Sequence, residues 1–346
     1  MKIFTALAIG LALLSLYGIK QTLLSKPESY SDRLSQIAKE VNSAKGSWEA
    51  AEYKEWASFT FESAKKMNSL IFIEKPASFE TKTFSESEIL NTPASFDSRE
   101  QWPDCPSISL IRDQSSCGSA WAFGAAEAMS DRICIGSKGA NKTLVSAENL
   151  LSCCYQCGTG CSGSQGLYYP AWEYWKLSGL VSGGLYGDKG SCQPYSMPPC
   201  SHYVGSTKYP TCPSSQYPTP KCKRTCIPES GLNYEEDKTY SNHVYALNSQ
   251  ETMKAEISIN GPVQAGFMMY EDFLTYKSGV YSYKTGRALG YHSIRILGYG
   301  TENYVGYWLI ANSWNESWGE NGYVKIKRGT NECGIENNVV AGTYSV

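Results

Sequence analysis

The chain has 346 residues, 31 basic side chains against 33 acidic ones, a formal charge of -2 and 42% hydrophobic residues. That length supports roughly two domain-sized units with a substantial core, and the charge balance excludes nucleic-acid or anionic-membrane binding through a dominant basic surface. Thirteen cysteines require either a disulfide framework or a metal-binding array.

The N-terminus chooses between those two. Met1-Lys2 gives a short positive start, Ile3 to Leu16 is apolar and Gly18 is a small residue near a cut, so residues 1–18 read as a secretory signal. The apolar run stops at Lys20, short of the roughly 20 residues a membrane helix needs. No later segment is apolar for long enough either. Residues 19–91 differ in texture from the rest: Lys, Glu and Ser dominate, and cysteine is absent. Leu34, Ile37, Ala38 and Val41 recur at helical spacing and predict one apolar face. This leader is either an extra N-terminal domain or a propeptide seated in the cleft of the body, with Trp48, Tyr53, Trp56, Phe59 and Phe61 as candidate anchors.

Beyond Cys105 the turns multiply. Gly158 to Gly166 and Pro194 to Pro228 lack periodicity and read as loops held by crosslinks. Gly166 to Leu177 predicts a short helix with Trp172 and Trp175 inward, and Gln250 to Asn260 a helix stopped by Gly261-Pro262. Val263–Met269, Gly279–Tyr283, Ser293–Tyr299, Tyr307–Asn312 and Gly322–Lys327 read as strands. Helices first and strands later fit two lobes of different class with a cleft between them.

The segment Asp113-Gln114-Ser115-Ser116-Cys117-Gly118-Ser119-Ala120-Trp121 carries the most information. It resembles the active-site segment of papain-like cysteine proteases, whose signature is Cys-Gly-Ser-Cys-Trp with the second Cys as nucleophile; Ala120 stands in its place. Tyr291-His292-Ser293 and Ala311-Asn312-Ser313-Trp314 match the His and Asn segments of that family in order. The likeness is greatest to its cathepsin B-like members and runs from Pro93-Ala94-Ser95-Phe96-Asp97 to Val340-Ala341-Gly342. His292 lies about 170 residues beyond position 120, where the papain pattern expects roughly 130–150. The surplus coincides with residues 192–226, where cathepsin B-like proteins carry an occluding loop.

The resemblance implies an α+β papain-like fold: a helical left lobe, a β-barrel-like right lobe and the cleft between, with residues 92–346 as the body. It implies His292 as general base, Asn312 as the residue orienting its ring, Gln114 as oxyanion donor and Trp314 as a cover over the pair. It further implies the disulfides Cys105–Cys134, Cys117–Cys161, Cys153–Cys222, Cys154–Cys157, Cys192–Cys226 and Cys200–Cys212, with Cys333 free. Zinc held by Cys157 and Cys161 fits poorly in a secreted chain with three histidines, so neither metal nor cofactor is expected. Taken alone, His292 is equally a buried core histidine; its place after position 120 raises it above that.

Alanine has no atom that can attack a carbonyl. Four further positions depart from the family: Ser164 replaces the second glycine of a Cys-x-Gly-Gly segment after Gly163, Tyr291 replaces the glycine before the histidine, Tyr203 replaces the second of two occluding-loop histidines beside His202, and Asn338 replaces an acid at the base of a specificity pocket. Together they favour a natural pseudoprotease over an active endopeptidase or peptidyl-dipeptidase whose nucleophile was replaced by design. A purely structural protein is the third alternative. The expected partners are a peptide or protein in the cleft, the chain's own propeptide and a cystatin-like inhibitor, in a lysosomal or extracellular setting. Asn141-Lys142-Thr143 and Asn315-Glu316-Ser317 are N-glycosylation acceptor sequences.

Overall fold

The computed structural model describes residues 29–52, 60–68, 75–77, 79–162, 168–201, 206–337 and 339–344. The signal-like residues 1–18 fall outside them, as do Tyr53, Trp56 and Phe59 of the leader.

The leader opens with the helix Tyr30–Ser43, entered through a reciprocal cap: the Ser29 side chain accepts from the Asp32 N–H, and the Asp32 carboxylate accepts from the Ser29 N–H. Leu34, Ile37, Ala38 and Val41 form its buried face, each of the larger ones stabilising the docked helix by about 1.5–3 kcal/mol. Strand β1 (Trp48–Ala50) follows, then the short helix Phe61–Met67. Trp48 is buried against Tyr276 and Tyr281, its ring 6.1 and 5.1 Å from theirs, and its Nε1 donates to the Ser282 carbonyl at 2.9 Å. Phe61 is half-buried beneath the Arg287 guanidinium, which lies 3.8 Å from the ring centre.

After β2 (Phe96–Asp97) the left lobe forms around the central helix Ala120–Gly136, flanked by helices Ala147–Cys153 and Tyr168–Ser178. Ala120, Ala122, Ala125, Ala126 and Ala128 favour helix strongly and let neighbouring elements approach on every side, so the central helix is buried from Ala120 to Cys134. Trp172 and Trp175 point inward without exposed surface. The right lobe is built from β3 (His243–Leu247), the helix Gln250–Asn260, and β4 (Val263–Tyr270), β5 (Tyr276–Tyr281), β6 (Ala288–Glu302), β7 (Val305–Ala311), β8 (Tyr323–Lys327) and β9 (Val339–Thr343).

These strands form one sheet in the order β1-β5-β8-β7-β6-β4-β9-β3, with β2 paired to β6. The barrel-like lobe expected from the resemblance is therefore only loosely matched. The described strands make an open sheet, because β1 and β3 lie at opposite ends of the path and each takes a different neighbour. Both edges are covered by the leader. β1 pairs antiparallel with β5, and Glu80–Lys82 runs parallel to β3, with the Ala246 N–H donating to Glu80 O at 2.8 Å and the Lys82 N–H donating to Ala246 O at 3.0 Å.

Six disulfides crosslink the body: Cys105–Cys134, Cys117–Cys161, Cys153–Cys222, Cys154–Cys157, Cys192–Cys226 and Cys200–Cys212. Cys333 is free.

The two lobes meet at a buried ion cluster. Arg295 on β6 donates to Asp131 of the central helix through Nη1 at 2.7 Å and lies 3.4 Å from Glu127, and its Nη1 and Nη2 also donate to the carbonyls of Ser107 and Leu110. Burial pushes the Glu127 carboxyl up to about 7, against the pull of Arg295 and Arg112. Removing one partner of such a cluster leaves uncompensated charge in the interior. Arg295→Met is expected to cost about 3–5 kcal/mol in denaturant unfolding with disulfides intact; a loss below about 1 kcal/mol would show that the lobes are joined by other means.

Candidate active site

The loop Asp113–Cys117 places the first functional side chain. Asp113 Oδ1 accepts the Ser115 N–H at 2.6 Å, an Asx turn that carries Ser115 into the left-handed region at φ 58°. Its other oxygen accepts from Cys200 N at 3.0 Å and Asn315 Nδ2 at 2.7 Å. Burial raises the Asp113 carboxyl to about 6 in spite of these donors. Gln114 emerges fully buried. Its Oε1 accepts from Ser313 Oγ at 2.7 Å, and its Nε2 donates to Cys117 O at 2.8 Å and to the leader carbonyl of Met67 at 3.2 Å. The side-chain amide expected to receive an oxyanion thus holds a carbonyl of the chain's own N-terminal segment.

Ala120 is the first residue of the central helix and has no exposed surface. It occupies the helix N-terminus, where backbone N–H groups and the helix dipole favour an anion. Packing brings this part of the helix against β6, the strand that carries His292. A Cβ on Gly124, one turn along, would meet Ser293 Oγ at 2.7 Å, so the helix lies directly on the strand. Gln264 ties the two together by donating to Trp121 O and Ser293 Oγ, each at 2.9 Å, while its Oε1 accepts from Trp172 Nε1 at 2.7 Å.

His292 is fully buried, and its Nε2–H donates to Asn312 Oδ1 at 2.8 Å; the same oxygen accepts the Ser313 N–H. That arrangement leaves Nδ1 as the proton-accepting nitrogen, which has no hydrogen-bond partner among the described residues. The Trp314 ring stands 5.0 Å from the imidazole, with Phe267 and Phe273 at 5.9 and 6.4 Å. Burial among these rings holds the histidine down at about 4, the Asn312 hydrogen bond opposing only in part.

The substitutes for a nucleophile are engaged elsewhere. Cys117 is bonded to Cys161, and Ser119 Oγ shares a 3.0 Å hydrogen bond with the Tyr195 hydroxyl, which donates to Gln114 O at 2.8 Å. Tyr291 is half-buried and packs with the left-lobe cluster that contains Tyr168. Gly163, Ser164, His202, Tyr203 and Asn338 lie outside the described residues. Ser313 and Tyr195, which fix Gln114 and Ser119, carry no signal of their own in the sequence because their roles come from contacts remote along the chain. The acceptor sequence at Asn315 is closed in the fold: the residue is 2% exposed and its amide nitrogen is used by Asp113 and Cys200.

The match to known proteins follows the same residues. The model of the papain family cysteine proteases matches residues 92–343. The chain belongs to the papain family of cysteine proteases. Within it the chain is cathepsin B-like: it is 53% identical over 258 residues to cathepsin B-like cysteine proteinase 4 of Caenorhabditis elegans, covering 73% of this chain and 76% of that one. It is 51% identical over 251 residues to a cathepsin B-like cysteine proteinase of Schistosoma japonicum, covering 72% of each. Among solved structures it resembles procathepsin B S9 from Trypanosoma congolense, with a TM-score of 0.75 and 35% identity over 90% of this chain and 98% of that one. The neighbour is a proform, and this papain-family chain has the zymogen fold, leader and body together.

The folded imidazole refuses a proton that an unfolded one takes near 6.5, so this histidine costs stability as pH falls below about 6.5, and the loss levels off near 4. NMR titration of the ring is expected to give a midpoint near 4 in the unaltered chain and a higher one in Ala120→Cys, where a neighbouring thiolate favours imidazolium. A midpoint near the ordinary histidine value in the unaltered chain would contradict this burial-driven shift.

Proposed function

We propose that this cathepsin B-like chain is a pseudoprotease: a papain-family scaffold that binds polypeptide in its cleft and does not cut it. Ala120, at the start of the central helix beside an assembled His292, Asn312 and Gln114, carries the reading. These three supply a base, its orientation and an oxyanion donor, yet no atom is there to be deprotonated. Ground-state contacts do not need the attacking atom, and the Met67 carbonyl on Gln114 illustrates one. Residues 19–91 act as the propeptide of a body at 92–346, and without a thiol of its own the chain depends on another protease for their removal. The cleft of the separated body suits a peptide, the detached leader or a cystatin-like inhibitor. Six disulfides support passage through the secretory pathway to a lysosomal or extracellular destination.

A second reading, an active endopeptidase or peptidyl-dipeptidase deprived of its nucleophile by design, is favoured by the intact hydrogen bond between His292 and Asn312. The two separate on one comparison, made after an added protease has removed the leader. The unaltered chain is expected to hydrolyse no peptide amide above the buffer blank, since deleting a nucleophile costs on the order of 10⁶ in turnover, while retaining measurable affinity for a cystatin-like inhibitor. Ala120→Cys that remains inert supports the pseudoprotease, whereas recovered hydrolysis supports the second reading. Turnover by the unaltered chain overturns the first.

A further inference from the structure

One of the leader's contacts with the body lies at the opposite end of the sheet from β1 and uses none of the residues around His292. Its strand Glu80–Lys82 lies on the free edge of β3, where the Ala246 N–H and C=O both bond to it. Beside that edge is Glu256, on the helix Gln250–Asn260 and without exposed surface. One carboxylate oxygen accepts from Arg132 at 2.6 Å and from the Tyr245 hydroxyl at 2.7 Å. The other accepts from Asn260 Nδ2 at 3.0 Å and from Lys82 Nζ at 2.8 Å. The Lys82 ammonium also lies 4.6 Å from the centre of the Tyr245 ring and 4.9 Å from that of Phe84, within cation–π range. Burial alone would raise the Glu256 carboxyl, but Arg132 and Lys82 outweigh it and hold it low.

Two recognition elements therefore coincide: an edge that pairs with any extended backbone, and a carboxylate with an aromatic wall that selects a cation. Lys82 supplies the cation in this structure, with a quarter of its side chain exposed. We propose that the β3 edge with Glu256 and Tyr245 is a peptide-binding exosite for an extended segment bearing a lysine or arginine, occupied in the full chain by Phe79–Phe84 and open to other polypeptides when that segment lifts off. The backbone pairing gives affinity without regard to sequence, and the Glu256 pocket gives the preference for a basic residue.

The full chain tests this without removal of the leader. Lys82→Glu sets two carboxylates against each other and is expected to lift the strand, so that the Ala246 amide exchanges with solvent about tenfold faster or more than in the unaltered chain. A synthetic peptide with the sequence Phe79–Phe84 restores that protection in the variant and binds by fluorescence anisotropy, while the unaltered chain, whose exosite is filled, takes up none. The same peptide with glutamate in place of its lysine does neither. Lys82→Met, which removes the charge and keeps the stem, provides the comparison if the first variant does not fold. An Ala246 amide that stays protected in the folded variants, or equal binding of the two peptides, overturns the proposal. Neither readout depends on position 120, so failure here leaves the pseudoprotease reading standing.

Discussion

Arg295 has no exposed surface, and its guanidinium spans from β6 to Asp131 and Glu127 on the central helix. A charge so deep is tolerable only when paired, and this pairing allows one relative placement of helix and strand. Position 120 begins the helix that carries Asp131, and His292 precedes Arg295 by three residues on the strand. The same cluster that holds the lobes together thus sets how the helix N-terminus addresses the imidazole. Gly124 and Gln264 then refine the approach, one by lacking a side chain where Ser293 stands and the other by bonding to both elements.

On this frame the leader behaves as part of the sheet as well as a plug. It enters on the β5 edge through Trp48, crosses Gln114 at Met67 and reaches the β3 edge at Glu80–Lys82. Gln216, from the region expected to form an occluding loop, also donates to the leader at Lys66 O. On that same loop Lys208 and Tyr209 both bond to Glu316, so the stretch closed by the Cys200–Cys212 disulfide is tied to the segment that follows Trp314. The leader is anchored at separated places by different forces: aromatic packing, carbonyl capture, strand pairing and a partly buried ion pair.

Much of this was legible in the sequence, for identifiable reasons. The apolar stripe Leu34, Ile37, Ala38, Val41 is a local pattern, and so is the stop at Gly261-Pro262 that ends the Gln250–Asn260 helix. The strand expected at Ser293–Tyr299 extends in the structure to Ala288–Glu302, because Tyr291 and His292 continue the pairing with Met268 and Phe267. Strands β1, β3 and β9 were not read, since each is five residues or fewer and owes its conformation to a partner far along the chain. The grouping of His292 with Asn312 was suggested by family order, but the capture of Met67 by Gln114 and the diversion of Ser119 to Tyr195 are tertiary facts with no linear signature.

The odd thiol has its own consequence. Twelve cysteines are tied in pairs and position 120 carries none, so the folded protein holds a single free thiol, at half-buried Cys333. Burial, and after it the Glu332 and Asp272 carboxylates, push that thiol well above its ordinary value, so little of it is the thiolate that reacts. Thiol-directed probes that score family members by modification of the catalytic sulfur therefore find one cysteine in the folded molecule, away from the helix start and largely in its unreactive protonated form.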